Sequence, residues 1–318
     1  VNVVNVVASV RDKQGKVIHD LTKEDFTLLE DGKPQDIRYF SPQSATPLDL
    51  GLLIDTSGSQ VRVLASERRA SYQFLRQVMR EDLDKAFVIH FDFESELLQD
   101  VTSSKSDLET ALSDVQSPEP RTVRMGRGGG QGRGRGPGQG PGRAQGGTVL
   151  YDAVLLASDE ITRKLEGRKA LILLSDGEDH GSRVSLNSAI EAAQRSDTLI
   201  YAILFSDGPG GQIFSPSIGM GGGRRGGGLP IPPPVQGSRI DGKKVMRRLA
   251  SETGGGYFEV SNKTSIEKIF AEIDDELRHQ YSLGYVSNNG GESYRKIKVS
   301  VKRPGLTVQT RDGYYARN

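Results

Sequence analysis

The sequence predicts an α/β protein: a Rossmann-like, doubly wound, mostly parallel sheet, with a small flanking β module formed by the N- and C-terminal segments. Nearly continuous apolar runs, typical of buried parallel strands, alternate with segments whose apolar residues recur every three or four positions, typical of one helix face. At both ends of the chain, apolar and polar residues instead alternate between turn residues, which is typical of antiparallel strands.

Four apolar runs are predicted to form the parallel strands, at residues 48–55, 86–91, 170–175 and 199–205. Helices are predicted between and after them, over about 61–79, 150–165, 186–193 and 266–281. The first helix is expected to bury a face made of Val61, Leu64, Ala65, Arg68, Tyr72, Leu75 and Met79. The last helix is expected to bury Ile266, Ile269, Phe270, Ile273, Leu277 and Tyr281.

Two terminal segments, residues 1–45 and 281–318, flank the α/β region 46–280. Asp31-Gly32 lies between two apolar alternations, which predicts a hairpin, and further turns are predicted at 12–15, 289–290 and 304–305. We expect the two terminal β segments to join into one β module or to pack side by side.

Two segments rich in Gly and Pro interrupt the α/β region, at about 118–146 and 207–237. They cannot bury enough apolar surface to offset the entropy of ordering, so flexible loops are predicted that flank the carboxyl edge of the sheet. The first contains six arginines near one acidic residue, Glu119, and this composition is typical of segments that bind RNA. It lacks interleaved aromatic residues for base stacking, so we expect no nucleic-acid partner.

The overall composition argues against several functional classes. The chain has 42 Lys plus Arg against 41 Asp plus Glu, which argues against a protein built to bind a polyanion. It has no Cys, which excludes disulfides, thiolate metal sites and cysteine nucleophiles. No run approaches the roughly 20 apolar residues of a membrane span, and the first residues lack the pattern of a signal peptide. If the protein is exported, we expect its signal to have been removed.

Oxygen-bearing side chains follow the predicted strands. Asp55, Ser57 and Ser59 form the motif DTSGS after the first buried strand, Thr148 precedes the helix over 150–165, and Asp176 follows the strand over 170–175. Because ligands bind beyond the carboxyl ends of parallel strands, three loops are expected to converge at one edge. Carboxylates and hydroxyls suit Mg²⁺ better than Zn²⁺. Taken alone, DTSGS is equally well explained as a turn that caps the next helix.

The motifs DTSGS, GGT and LLSDGED resemble the three loops of the metal-ion-dependent adhesion site (MIDAS) of von Willebrand factor type A (VWA) domains. The resemblance covers about residues 48–276. It implies one divalent cation, Mg²⁺ with Mn²⁺ or Ca²⁺ as alternatives. Ser57 and Ser59 would bind it directly, Thr148 directly in one state, and Asp55 and Asp176 directly or through water.

The flanking segments resemble those of VWA-related proteins of Acidobacteria, which implies a secreted, periplasmic or cell-surface protein. Five protein side chains, several of them acting through water, leave one coordination position for an Asp or Glu of a partner. We therefore expect a metal-dependent protein-binding or adhesion module. The alternative is a scaffold or assembly component of the cell envelope whose metal is structural. The resemblance to integrin-type VWA domains also implies that the last helix can shift.

Catalysis is the third hypothesis. A phosphatase of the haloacid dehalogenase type needs a second Asp where this chain has Ser57, and a serine hydrolase needs a histidine base that the motif does not supply. His180, beside Glu178 and Asp179, is the nearest candidate for a hydrolytic metal centre with Asp176, but we expect it to be solvated. His90 is expected in the core with its nitrogens hydrogen-bonded. The sequence therefore predicts a binding protein, not an enzyme.

Overall fold

The computed structural model of the chain describes residues 3–42, 46–116, 147–205, 241–287 and 293–316. The strands within these ranges are β1 (Val3–Arg11), β2 (Phe26–Glu30), β3 (Lys33–Gln35), β4 (Ile37–Pro42), β5 (Leu48–Asp55), β6 (Lys85–Phe91), β7 (Ser95–Thr102), β8 (Arg168–Ser175), β9 (Thr198–Leu204), β10 (Tyr257–Glu259), β11 (Tyr281–Val286), β12 (Tyr294–Val301), β13 (Thr307–Thr310) and β14 (Gly313–Tyr315). The α-helices are α1 (Leu64–Val78), α2 (Lys105–Asp114), α3 (Leu150–Leu155), α4 (Leu186–Arg195), α5 (Gly242–Thr253) and α6 (Ile266–Arg278).

A six-stranded sheet of order β10-β9-β8-β5-β6-β7 forms the centre of the α/β region. All its strand pairs are parallel except that of β6 with β7. Helices α1, α2 and α6 contribute to the buried cluster on one face, and α3, α4 and α5 to the cluster on the other. The predicted doubly wound, mostly parallel α/β fold is therefore confirmed.

The four predicted parallel strands agree with β5, β6, β8 and β9 to within two residues at each end. Two strands and two helices were not predicted from the sequence: β7, β10, α2 and α5. Strands β7 and β10 lie at the two edges of the sheet, where burial is incomplete and the apolar run is short. Such edge strands carry little of the apolar periodicity on which the prediction depended.

The predicted buried face of the first helix is correct for Leu64, Leu75 and Met79 and wrong for its other four residues. Helix α1 begins at Leu64, and Val61 lies before it with 54% of its surface exposed. The buried face consists of Leu64, Glu67, Ala70, Ser71, Phe74, Leu75 and Val78. On this face Phe74 stacks on Phe270 of α6, with ring centroids 4.5 Å apart. The same face carries two polar residues, Glu67 and Ser71, which are buried.

Two other helices depart from the prediction. The helix predicted over about 150–165 is α-helical only to Leu155 and continues as a π turn and a 3₁₀ turn. Helix α6 ends at Arg278, so assigning Tyr281 to it was wrong. Tyr281 is the first residue of β11, although its spacing from Leu277 continues the helical period. Its hydroxyl donates to Ile18 O and accepts from Leu21 N, which places it in the β module.

The two ends of the chain join into one β module, as predicted. It contains two four-stranded sheets, of order β13-β1-β11-β4 and β14-β12-β2-β3, and each combines strands from both ends. Apolar residues of both sheets share one buried cluster. The predicted Asp31-Gly32 hairpin joins β2 to β3, and both residues have the positive φ, 48° and 79°, that a type I′ turn requires.

Buried polar contacts attach α6 to the β module. The Glu276 carboxylate is fully buried and accepts hydrogen bonds from Ser9 Oγ at 2.9 Å and Gln309 Nε2 at 3.1 Å, and it forms an ion pair with Arg11. Tyr201 of the central sheet donates to the same carboxylate at 2.9 Å. Since a buried carboxylate is stable only when paired and hydrogen-bonded, these partners fix the end of α6 against both units.

Some predictions fall on other parts of the chain. The two Gly-rich insertions, at about 118–146 and 207–237, and the turn at 289–290 lie outside the described residues. No helix in the described ranges is long and apolar enough to cross a membrane.

Candidate metal centre

The centre begins where β5 and β8 run side by side. Their register pairs Ile54 with Leu174, so Asp55 and Ser175 emerge together at the carboxyl edge of the sheet. Asp55 is fully buried, and Ser175 Oγ donates to its Oδ2 at 2.7 Å. The same hydroxyl accepts from Gly177 N at 2.9 Å. Ser175 therefore holds the two loops together below the predicted ligands.

Four of the five predicted ligands are joined by direct hydrogen bonds. Ser57 N donates to Asp55 Oδ1 at 2.9 Å, and the hydroxyls of Ser57 and Ser59 lie 3.0 Å apart. Ser59 Oγ then donates to Asp176 Oδ2 at 2.6 Å. The result is a continuous hydrogen-bonded series of side chains across the two loops, each with an oxygen atom that could bind a metal ion.

Thr148, the fifth predicted ligand, is buried beside the Asp176 loop. Its carbonyl accepts from His180 N at 3.0 Å and from Gly181 N at 3.2 Å, and Val149 N donates to Asp92 O after β6 at 2.9 Å. Within the described part of the chain, no direct hydrogen bond joins its hydroxyl to the other four side chains. The structure brings all three loops to one sheet edge, with the Thr148 side chain outside the bonded run.

Two aspartates absent from the predicted site fix the Thr148 loop. Asp179 Oδ1 accepts from Tyr151 N, in the first turn of α3, at 3.2 Å and from Ser182 Oγ at 2.5 Å. Asp152 accepts in return from Arg183 N and Val184 N at 3.0 and 3.1 Å. Asp179 thus connects the Asp176 loop to the first turn of α3, which begins two residues after Thr148.

Two glycines set the position of Asp176. Gly177 has φ +77°, and a methyl group on Gly242 at the start of α5 would lie 2.2 Å from Asp176 O. The backbone of α5 can approach the loop this closely only because neither residue has a Cβ. The sequence analysis missed this contact because Gly242 is far from Asp176 along the chain.

Glu67 is the most informative residue that sequence reasoning missed. It lies on the sheet-facing side of α1, is fully buried, and neither carboxylate oxygen has a hydrogen-bond partner. Its charge interacts with those of Asp55 and Asp176. A Glu on an otherwise apolar helix face could have indicated a buried carboxyl group. It was overlooked because the buried face of α1 was assigned partly to the wrong residues.

The local electrostatics favour a cation. Burial, opposed by hydrogen bonds from Ser57 and Ser175 and reinforced by the charge of Asp176, raises the pKa of Asp55 to about 6. Burial and then the charges of Asp55 and Asp176 raise the pKa of Glu67 to about 8. Two buried carboxyl groups thus lie near the partly exposed Asp176, and no described basic side chain bonds to any of the three.

These residues fit a hard divalent cation. The donors are all oxygens, and the buried Glu67 carboxyl, which without a cation retains its proton to about pH 8, could ionise beside a bound cation. Ser59 gives its proton to Asp176, which leaves its oxygen lone pairs available for a cation.

The centre opens to solvent through Ser59, which is exposed, and Asp176, which is partly exposed. Two apolar side chains lie on adjacent loops: Val61 is 54% exposed and Phe93 is 50% exposed. The Phe93 ring comes within 3.8 Å of the position that a Cβ on Gly147, next to Thr148, would take. The opening therefore combines oxygen donors with an apolar rim.

The two histidines near the centre contact residues outside the predicted ligand set. His90 is partly exposed, not fully in the core as predicted, and its nitrogens contact Thr56 Oγ1 at 3.3 Å and Glu96 Oε2 at 3.1 Å. His180 is exposed, as predicted, and its Nε2 lies 3.2 Å from Glu178 Oε2.

No protein-family model and no curated protein sequence matches this chain. Among solved structures, proximal thread matrix protein 1 from the mussel byssus is similar, with 16% identity and a TM-score of 0.50 over 83% of this chain and 51% of that one. A second structure of the mussel protein, with a zinc-occupied MIDAS motif, has 16% identity and a TM-score of 0.49 over 78% of this chain and 50% of that one. The SpRpn10 VWA domain has 8% identity and a TM-score of 0.42 over 71% of this chain and 94% of that domain.

Of these three structures, the first mussel structure reaches a TM-score of 0.50, and it supports the α/β fold described above. The six-stranded, mostly parallel sheet of this chain is typical of VWA domains. The chain spans about half of the mussel protein's length, 51%, and at such low identity the likeness shows the fold alone. The closer likeness to VWA-related proteins of Acidobacteria stays a prediction.

Gly242→Ala tests the close approach of α5 to Asp176. Alanine normally stabilises a helix by up to about 1 kcal/mol relative to glycine. Here the added methyl group must displace the Asp176 loop, so we expect the free energy of unfolding to fall by about 1–3 kcal/mol and Mg²⁺ affinity to weaken. Urea denaturation and calorimetric titration measure both quantities.

Gly58→Ala is the matched control for stability alone, because a Cβ there meets nothing within 4 Å but the residue lies between the predicted ligands Ser57 and Ser59. Wild-type stability and Mg²⁺ affinity in the Gly242→Ala variant would contradict this account of how Asp176 is positioned.

Glu67→Gln tests the buried carboxyl. The pKa of Glu67 is raised from 4.5 to about 8, so between these pH values the folded state retains a proton that the unfolded state releases. The free energy of unfolding should therefore fall as pH rises through this window, by at most about 1.4 kcal/mol per unit, and level off above it. Because Asp55, with its pKa raised to about 6, contributes to the slope near pH 6, the comparison is made between pH 7 and 8, where Glu67 dominates.

The measurement is urea denaturation at several pH values in the presence of EDTA. The Gln variant should lose the slope between pH 7 and 8, whereas Glu94→Gln, at an exposed position, should retain it. Equal slopes in the wild type and the Glu67→Gln variant would show that the Glu67 carboxyl is not protonated in the folded protein.

Proposed function

We propose that this chain is a metal-dependent protein-binding module in which Asp55, Ser57, Ser59, Thr148 and Asp176 hold one Mg²⁺ ion. One observation carries the proposal: a hydrogen-bonded run of oxygen donors reaches the surface above a fully buried carboxyl group that has no partner. Such a cluster of carboxyl groups is costly without a cation to offset the charge.

The bound cation would supply a positive charge at the opening of the centre, where a carboxylate is the favoured ligand. An Asp or Glu of a partner protein fits this role. Val61 and Phe93 support a protein as the partner, since they place exposed apolar surface beside the charge, and protein interfaces are rich in aromatic residues at their centres. We propose that the carboxylate gives specificity and that these two side chains contribute apolar contact area.

Binding rather than catalysis accounts for the placement of the polar groups. The imidazoles of His90 and His180 contact Thr56, Glu96 and Glu178, so neither is bonded to Ser57 as a general base would be. We propose, from the resemblance of the flanking segments, that the module acts outside the cytoplasm.

Metal binding is tested by calorimetric titration of EDTA-treated protein with MgCl₂. Asp55→Asn removes a buried carboxylate while keeping its shape, and we expect at least about a tenfold loss of Mg²⁺ affinity. Asp100→Asn, at an exposed position on β7, is the matched control and should bind as the wild type does. Equal affinity in Asp55→Asn and wild type would refute this assignment of the site.

Partner recognition is tested with peptides selected from a random library against the wild-type protein in MgCl₂. The selected peptides should contain Asp or Glu, and changing that residue to Asn or Gln, or adding EDTA, should abolish binding. Peptide affinity unaffected by chelation would refute the mechanism. Circular dichroism on the same samples separates the alternative: loss of the folded state in EDTA would indicate a structural metal in a scaffold protein.

A further inference from the structure

A second cluster of metal-binding side chains lies at the junction of α6 and the β module, away from the candidate metal centre. It consists of His19, Asp275 and His279. One nitrogen of each imidazole and one oxygen of the Asp275 carboxylate all lie within 4.8 Å of one another. The imidazole rings are in contact, with centroids 4.0 Å apart. Two of the four histidines in the chain thus meet at one point, from opposite ends of the sequence.

The backbone holds these three side chains in place. His19 lies on the segment between β1 and β2, where Ile18 N donates to Val10 O at 2.8 Å. The Tyr281 hydroxyl binds both sides of His19, since it donates to Ile18 O at 2.8 Å and accepts from Leu21 N at 3.2 Å. Tyr281 follows His279 by two residues, so one tyrosine fixes the spacing of both histidines.

The orientation of the His279 ring also suits a ligand. Its Nδ1 lies 2.8 Å from Asp275 O and 3.0 Å from Asp275 Oδ1. A carbonyl oxygen can only accept a hydrogen bond, so Nδ1 carries the proton and the lone pair of Nε2 is available to a cation. A hydrogen bond from the second ring nitrogen to a carbonyl is typical of histidines that bind metals.

We propose that His19, Asp275 and His279 form a second metal site, which binds a transition-metal dication of the Zn²⁺ class. Two imidazole nitrogens and one carboxylate oxygen suit Zn²⁺, Co²⁺ or Ni²⁺, whereas Mg²⁺ prefers an all-oxygen shell. His19 is exposed and the other two residues are partly exposed, so ions can enter from solvent and water completes the shell.

The site would connect the last turn of α6 to the β module. It lies one residue from Glu276, whose buried contacts already join the same two units. A metal that binds only the folded arrangement stabilises it, and the stabilisation grows with metal concentration. The second site therefore acts as a metal-dependent link that holds the end of α6.

The test is calorimetric titration with ZnCl₂ in excess MgCl₂, using the full chain. Because Zn²⁺ can compete for the Mg²⁺ centre, the titration is repeated in the Asp55→Ala background. One Zn²⁺ per chain should bind in both, and His19→Ala or His279→Ala should weaken it by at least about tenfold. His180→Ala, at an exposed histidine outside the cluster, is the matched control and should bind Zn²⁺ as the wild type does.

Zn²⁺ should also raise the melting temperature of the wild type and of His180→Ala, but not of His19→Ala, whose circular dichroism spectrum shows whether it is folded. Zn²⁺ binding that is unchanged by His19→Ala, or the absence of Zn²⁺ binding in the Asp55→Ala background, would overturn the proposal. Mg²⁺ binding should remain intact in His19→Ala, so failure of the second site is distinguishable from failure of the proposed function.

Discussion

The candidate metal centre depends on the parallel pairing of β5 with β8. This pairing places Asp55 beside Ser175, and the 2.7 Å hydrogen bond between their side chains fixes the loops that follow. A shift of one residue in the register would turn the Asp55 side chain to the other face of the sheet and separate it from Ser175. The buried apolar residues of both strands hold the register, so the core of the domain determines where the oxygen donors meet.

A second constraint is electrostatic. Asp55, Glu67 and Asp176 are gathered at the edge of an apolar core, where burial raises the pKa of Asp55 and of Glu67. Hydrogen bonds from Ser57 and Ser175 partly offset the free energy of burying the Asp55 carboxylate. The Glu67 carboxyl has no hydrogen bond that would do the same. A cation among these groups would offset their repulsion. Stability, proton binding and metal binding are therefore expected to be coupled in this protein.

Much of this arrangement could be predicted from the sequence. Continuous apolar runs located β5, β6, β8 and β9, and motifs at their carboxyl ends located the three converging loops. The positions of Glu67, Asp179 and Gly242 could not be predicted, since each acts through a contact that depends on helix rotation or on a distant loop. Phe74 of α1 stacks on Phe270 of α6, and apolar spacing within α1 alone does not contain that contact.

Diffraction from a crystal grown with MnCl₂ tests the assignment of the metal ligands, because the anomalous signal of Mn²⁺ locates the ion independently of any assumed ligand. We expect one strong anomalous peak at the carboxyl edge of the sheet, within bonding distance of the Ser57 and Ser59 hydroxyls and close to Asp55, Thr148 and Asp176. A crystal with no peak there, while Mn²⁺ occupies other positions, would contradict the account.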